Sequence, residues 1–192
     1  MTLLDILALT AALLGLAALA GSRLPKTHVA ASCQRLDASV DEVWEIVTNF
    51  TDYPNWRPGL SRVEAGPIID GQPSWYEYCA PKIKVHLQIA GIEPKQRLVT
   101  RLVGAKLPIY GAWEYTFDED NGGTILTIIE KDKVYNPLLR LCTRFVFPHH
   151  AAMDVFLFAL ARHCGSEGTP KHLSLRLDGS LPSEGWLGET DI

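Results

Sequence analysis

Hydrophobic positions between His28 and Cys164 change their spacing three times, and each change predicts a different element. His28 to Leu36 reads as a strand. Val40, Val43, Trp44 and Val47 then recur at i, i+3, i+4 and i+7, the stripe of a helix with one buried face, while Asp41, Glu42 and Glu45 fall on its wet side or near its positive end. Ser39, with Glu42 three residues on, forms a capping box that satisfies orphaned amides at the helix start. Thr51 is placed to cap a second short turn that tolerates Pro54 near its start, and Pro58-Gly59 ends it. The pattern then turns to strands over Leu60 to Ala65, Ser74 to Cys79, Lys82 to Ala90, Arg97 to Val103, Ile109 to Phe117 and Thr124 to Lys131. The third of these alternates cleanly, with Lys82, Lys84, His86 and Gln88 on a wet side and Ile83, Val85, Leu87 and Ile89 on the other. Gly91 to Pro94 predicts a turn, and the run Asp118 to Gly123 is a strong hairpin signal. After Asn136-Pro137 the period becomes helical again: Leu138, Leu141, Cys142, Phe145, His149, Met153, Phe156 and Leu160 share one stripe. Pro148 is expected to kink or split that helix, and Gly165 to stop it.

One strand, two short helices, a meander of strands and a long closing helix make an α+β fold. The expectation is a curved antiparallel sheet of about seven strands wrapped around the C-terminal helix. Several stretches carry a resemblance: Ala38 to Trp44, then Phe50-x-x-Tyr53-Pro54-x-Trp56-x-Pro58, then Gly122-Gly123-Thr124 opening the last strand, then Asn136-Pro137 opening the last helix. On these the chain resembles the START-like or SRPBCC superfamily, the polyketide cyclase/dehydrase and lipid-transport group, over His28 to Cys164. The resemblance implies a helix-grip fold. Its members include lipid carriers, quinone-binding proteins, hormone receptors, chaperone cofactors and cyclases, so the fold implies a cavity more firmly than a reaction.

Flanking that 28–164 domain are two segments of different character, 1–24 and 165–192. Leu3 to Ala20 is apolar apart from Asp5 and Thr10, and its 18 residues stand at the lower limit for spanning a bilayer. Ala18-Leu19-Ala20 offers an A-x-A site for signal cleavage, which would export the domain. Against that, no Lys or Arg precedes the apolar run, whereas Arg23 and Lys26 follow it. That asymmetry favours an uncleaved single-pass anchor with the domain in the cytoplasm. A helix packed on the domain is the alternative to both. The 165–192 tail is rich in Gly, Ser, Pro and acids, with Leu173, Leu175 and Leu177 alternating as one short extra strand. Within the whole 192 residues, 47% hydrophobic and 21% charged content fits a single core, and a net charge of −4 without a basic face argues against a nucleic-acid partner. Cys33, Cys79, Cys142 and Cys164 are too scattered for a zinc site, and Cys142 on the helical stripe reads as a buried free thiol.

Chemistry is sparse. There is no G-x-S-x-G, no phosphate-binding loop and no dinucleotide fingerprint, so neither a cofactor nor a metal is expected. His86 falls on a wet strand face, and His150 and Asp154 at i, i+4 suit a surface pair. The catalytic candidates are His149, on the helical stripe, and Glu130 near the end of the last strand; Glu77 and Glu114 are further strand carboxylates. Strand alternation leaves the inward face open, because Ile125, Leu126, Ile128 and Ile129 make both faces apolar. The expected lining of the cavity is Tyr53, Trp56 and Pro58 at the rim, with Trp75, Tyr78, Leu87, Trp113, Tyr115, Phe145, His149, Met153 and Phe156. Three functions fit: membrane-tethered binding or transfer of a hydrophobic small molecule such as a lipid, isoprenoid or quinone; a cyclase or dehydratase using cavity His, Glu or Tyr; and a protein-interaction module.

Overall fold

A computed structural model describes residues 2–79, 83–104, 109–145 and 150–174. Eight antiparallel strands form one curved sheet in the order β2-β3-β4-β5-β6-β7-β1-β8. The strands are β1 (Thr27–Leu36), β2 (Leu60–Ala65), β3 (Ser74–Cys79), β4 (Ile83–Glu93), β5 (Arg97–Leu102), β6 (Ile109–Asp120), β7 (Gly123–Val134) and β8 (Lys171–Leu173). Five helices accompany them: α1 (Leu3–Arg23), α2 (Val40–Thr48), α3 (Tyr53–Trp56), α4 (Pro137–Phe145) and α5 (Ala151–His163). The meander from β2 to β7 follows the chain, and β1 closes it by pairing with β7 from Thr27↔Lys133 to Leu36↔Thr124. β8 adds an eighth strand beyond the expected seven by pairing with β1 at Ala31 to Cys33; Leu175 and Leu177 lie outside the described residues.

Local signals explain most of these elements. At the start of α2 the Ser39 hydroxyl accepts from the Glu42 amide at 3.3 Å while Glu42 Oε2 accepts from the Ser39 amide at 2.8 Å. Asn136 Oδ1 accepts from the amides of Leu138 and Leu139 and so caps α4. Asn121 and Gly122, both at positive φ, close the β6–β7 hairpin in two residues, which suits the twist of the flanking strands. Gly165 (φ 70°) ends α5, and the Ser166 amide reaches back to the Ala161 carbonyl.

Several expectations are corrected. Thr51 does not cap α3; its hydroxyl donates to Asn49 Oδ1, and a 3-10 turn over Phe50–Asp52 leads directly into the helix. No turn forms at Gly91. β4 continues to Glu93 through an irregularity between Ile89 and Gly91, and the chain reverses at Pro94 to Gln96 instead. Of the two outcomes expected of the C-terminal helix, a kink or a split, it is split into α4 and α5; Pro148 itself lies outside the described residues. Because α4 is separate, its stripe does not join the core, and Cys142 is exposed rather than buried. The supposed wet face of β4 is dry at its far end: Gln88 is buried, donating to the Ile69 carbonyl and accepting from Arg101. All four cysteines are free.

α5 lies on the concave face of the sheet and buries Met153, Phe156, Leu157 and Leu160 there. Phe156 is the hub of that contact. Its ring meets those of Tyr53 (5.9 Å), Trp56 (5.3 Å), Trp113 (5.9 Å) and Tyr115 (5.7 Å), which joins α3, β6 and α5. Two substitutions weigh the parts. Phe156→Ala is expected to lower the free energy of unfolding by about 3–5 kcal/mol, and Ser39→Ala by only about 1 kcal/mol; urea midpoints of the detergent-solubilised chain would measure both.

Candidate functional site

Side chains pointing from the concave face towards α5 do not meet it everywhere. Ala151, Ala152 and Val155, the small residues at the start of α5, leave a cavity of about 600 Å³ between the helix and strands β3 to β7. Its apolar wall is built from Trp75, Val85, Leu87, Leu102, Trp113 and Tyr115, with Tyr53 at one end. Two charged groups of residues interrupt it.

The first is Arg57, Glu77 and Trp75. Arg57 Nη1 donates to Glu77 Oε1 at 3.0 Å, the Trp75 indole donates to the same oxygen at 3.1 Å, and the guanidinium lies over the Tyr53 and Phe156 rings at 5.0 and 5.2 Å. Glu77 is thus a buried carboxylate held by two donors, with its cation braced by aromatic faces. The second is Glu130 with Asp132, two residues apart on β7 and therefore on the same face. Trp113, directly across the strand pair, donates its indole N–H to Glu130 Oε1 at 2.7 Å. Gly111 faces Asp132 in the same register, and a Cβ there would run into the Asp132 carboxylate; the glycine makes room for the charge. Burial, and secondarily the neighbouring Asp132 carboxylate, push the Glu130 carboxyl up to about 7 despite the opposing Trp113 hydrogen bond. Burial alone pushes Asp132 up to about 6. Around neutral pH Glu130 is therefore partly protonated while Asp132 is largely ionised. Tyr115 is driven above its ordinary value by burial, so its phenol stays protonated, and the Tyr53 hydroxyl is engaged with the Val47 carbonyl at 2.6 Å.

Of the residues singled out from the sequence, Tyr53, Trp75, Leu87, Trp113, Tyr115 and Glu130 line this cavity. Trp56 and Pro58 do not; they border a separate groove of about 590 Å³ on the outer side of α5, with Phe158, Arg162 and His163. Met153 and Phe156 are fully packed in the core between α5 and the sheet. Tyr78 points the other way, because alternation along β3 turns Trp75, Glu77 and Cys79 inward. On the convex face Tyr78 instead donates to Glu64 and lies under Arg62. Phe145 stands 73% exposed on α4, and His149 lies outside the described residues. Glu114 is on the convex face between Arg97 and Lys131, and His86 is half-buried, stacked on Tyr76 and bonded to Ser74. His150 and Asp154 do not pair with each other; the Ser32 hydroxyl joins them, accepting from His150 at 3.1 Å and donating to Asp154 at 3.0 Å. Arg57 and Asp132 were not foreseen. Asp132 had a signal, an acid two positions from Glu130 on one strand, but Arg57 had none beyond being the cation in the aromatic kink. Among the described residues no group of His, Cys, Asp or Glu is arranged to hold a metal ion.

Comparison with solved structures places this geometry among known folds. The di-domain aromatase/cyclase StfQ of the steffimycin pathway superposes with a TM-score of 0.58 at 10% identity, over 72% of this chain and 51% of that one. The Zhui aromatase/cyclase from Streptomyces sp. R1128 gives 0.61 at 13% identity, over 72% and 94%. Norcoclaurine synthase from Thalictrum flavum gives 0.57 at 11%, over 78% and 92%. The chain thus spans about half the length of StfQ and nearly all of Zhui. No curated protein matches its sequence. The family profile described as polyketide cyclase / dehydrase and lipid transport matches residues 27–148. That match covers the strands and α2–α3 segment that build the cavity, supporting a ligand-binding or cyclase role, and the chain belongs to this family, on the START-like helix-grip fold.

Proposed function

We propose that the protein binds a hydrophobic small molecule with polar ends, of the lipid, isoprenoid or quinone kind, and holds it beside a membrane. One observation carries the reading: an aromatic cavity of about 600 Å³, the size of small-molecule sites, has Arg57–Glu77 on one part of its wall and Glu130–Asp132 on another. A purely apolar guest would leave Glu130, which has a single indole donor, without water or a further partner, at a cost of a few kcal/mol. A guest with a carbonyl or hydroxyl at its ends would satisfy Arg57 or the protonated acid of the pair. The tether is α1, the one helix among the described residues long and apolar enough to cross a membrane. Tethering raises the local concentration of protein at the bilayer where such a molecule dissolves.

Native mass spectrometry of the full-length chain, followed by organic extraction, is expected to release a bound apolar molecule; a cavity that is consistently empty would overturn the reading. A decyl-substituted benzoquinone serves as a probe, because it quenches the emission of Trp75 and Trp113 on contact. Saturable quenching is expected, with affinity about tenfold weaker in Trp113→Ala, a loss of about 1.4 kcal/mol.

The pair at Glu130 favours a second reading, a cyclase or dehydratase step. An acid that titrates near neutral pH can both give and take a proton, and Glu130 faces the cavity with Trp113 to orient it. His149 is the other candidate from the sequence. Here turnover of a polyketide-like substrate is expected to vanish in Glu130→Gln or His149→Ala while binding persists.

Glu130 also predicts a pH dependence. Its folded pKa, about 7, lies above the unfolded value near 4.5, so the native state holds the proton more tightly between those pH values. Stability should fall as pH rises through that window, by up to about 3 kcal/mol once ionisation is complete. Glu130→Gln is expected to leave thermal stability nearly unchanged at pH 5 and to raise it at pH 8; an equal effect at both would show that Glu130 titrates normally.

A further inference from the structure

An unpartnered apolar stripe stands beside the end of α1. Leu138, Cys142 and Phe145, at i, i+4 and i+7 on α4, are all exposed, Phe145 by 73%. Arg140 and Arg144 lie on the opposite side of the helix. A soluble domain would turn such a stripe inward. Here the helix is held facing outward by its attachment to α1. Gly21 of α1 meets the Pro137 carbonyl so closely that no side chain could stand there. On α1 it is Ala17, Ala18 and Gly21 that lose exposure, and α4 packs against that helix. Arg140 completes the joint. Its buried guanidinium donates to the carbonyls of Ser22 (3.4 Å) and Leu24 (2.9 Å), acceptors that the end of α1 leaves open, and to that of Tyr135 (3.2 Å) just before α4. α4 therefore cannot move independently of the last turns of α1.

A second set of residues marks the same level. Tyr110 and Tyr135 pack edge to face at 5.6 Å, Lys133 lies over the Tyr135 ring at 5.2 Å, and Arg23 ends α1 with Lys26 three residues on. Tyrosines with basic residues form the belt that a protein presents to lipid headgroups. The Val134 amide bonds the Lys26 carbonyl, which ties this belt to β7 two residues beyond Asp132.

We infer that α4 is a second membrane contact: its Leu138–Cys142–Phe145 stripe lies in the headgroup–acyl boundary of an anionic bilayer crossed by α1. The inference rests on the reading of α1 as an anchor. α1 is 21 residues, about 31 Å of helix, so its end reaches the surface of a bilayer it crosses and brings α4 there. A helix with an exposed apolar face and an exposed arginine, Arg144, opposite suits that plane. The consequence is orientation. With α1 and α4 both engaged, the domain cannot turn about a single tether, and Asp132 in the cavity wall sits about 7 Å along β7 from the Val134–Lys26 bond that follows α1.

Cys142 reports on this directly. The native full-length chain is placed in nanodiscs of phosphatidylcholine and phosphatidylglycerol, and alkylation of Cys142 is followed by peptide mapping with a water-soluble and a lipid-soluble maleimide. In the native chain the aqueous reagent is expected to modify Cys142 about tenfold more slowly than in a Leu138→Asp, Phe145→Asp variant, whose stripe cannot partition. The lipid-soluble reagent should modify the native chain readily, a comparison that needs no variant. Equal aqueous reactivity in a chain that co-migrates with the discs overturns the α4 contact and leaves the anchor standing. Failure to co-migrate overturns both. Protection from both reagents means that a second copy or another protein covers the stripe, and overturns the bilayer as its occupant.

Discussion

Everything in this protein turns on how α5 meets the concave face of the sheet, and that meeting is organised by the Phe156 ring. It touches Tyr53 and Trp56 from the helical kink and Trp113 and Tyr115 from β6, with the Arg57 guanidinium over its face. Edge-to-face packing needs defined angles as well as area, so one ring holds three elements in fixed relation. The same contact is limited in extent. Large residues of α5 fill the space from Met153 onwards, whereas Ala151 and Ala152 leave the strands uncovered beyond it. The cavity is the part of the grip that α5 does not close.

Charge is distributed with respect to that cavity. Strand carboxylates on the convex face are neutralised at the surface, as Glu114 is by Arg97 and Lys131, and contribute little to stability. Those on the concave face are buried and need specific donors. Glu77 has Arg57 and Trp75, a set that leaves little demand for anything further. Glu130 has a single indole N–H and an acidic neighbour, so it keeps its proton towards neutral pH instead. Two parts of one apolar cavity wall thus offer different chemistry: a fixed ion pair at Arg57–Glu77 and, at Glu130, a carboxyl that titrates near neutral pH. That difference is what a ligand with unlike ends would read.

α1 is joined firmly to α4. An apolar helix on a flexible hinge would leave the domain free to tumble, but Gly21 against Pro137 and Arg140 on three carbonyls make a stiff joint. Two of those carbonyls, Ser22 and Leu24, are acceptors that the end of α1 leaves open, and the small residues Ala17, Ala18 and Gly21 let α4 pack close beside them.

The sequence by itself determined the local elements: the Ser39–Glu42 cap, the Asn121-Gly122 hairpin, the strand meander and the stop at Gly165. Each depends on residues within a few positions of one another, whose preferences survive in any context. It also determined the family, through the aromatic kink and the order of elements. Contacts distant in the chain decided the rest. The inward face of β7 was unreadable because both faces are apolar, and it was set only when β6 placed Trp113 opposite Glu130. Tyr78 and Trp75 look alike as strand aromatics; alternation along β3 sets them on opposite faces, and only the packing of the sheet against α5 decided which face holds the cavity. Periodicity ran unbroken from Leu138 to Leu160, yet α4 packs on α1 and α5 on the sheet. Periodicity records which residues share a face, and only the packing partner determines where that face points.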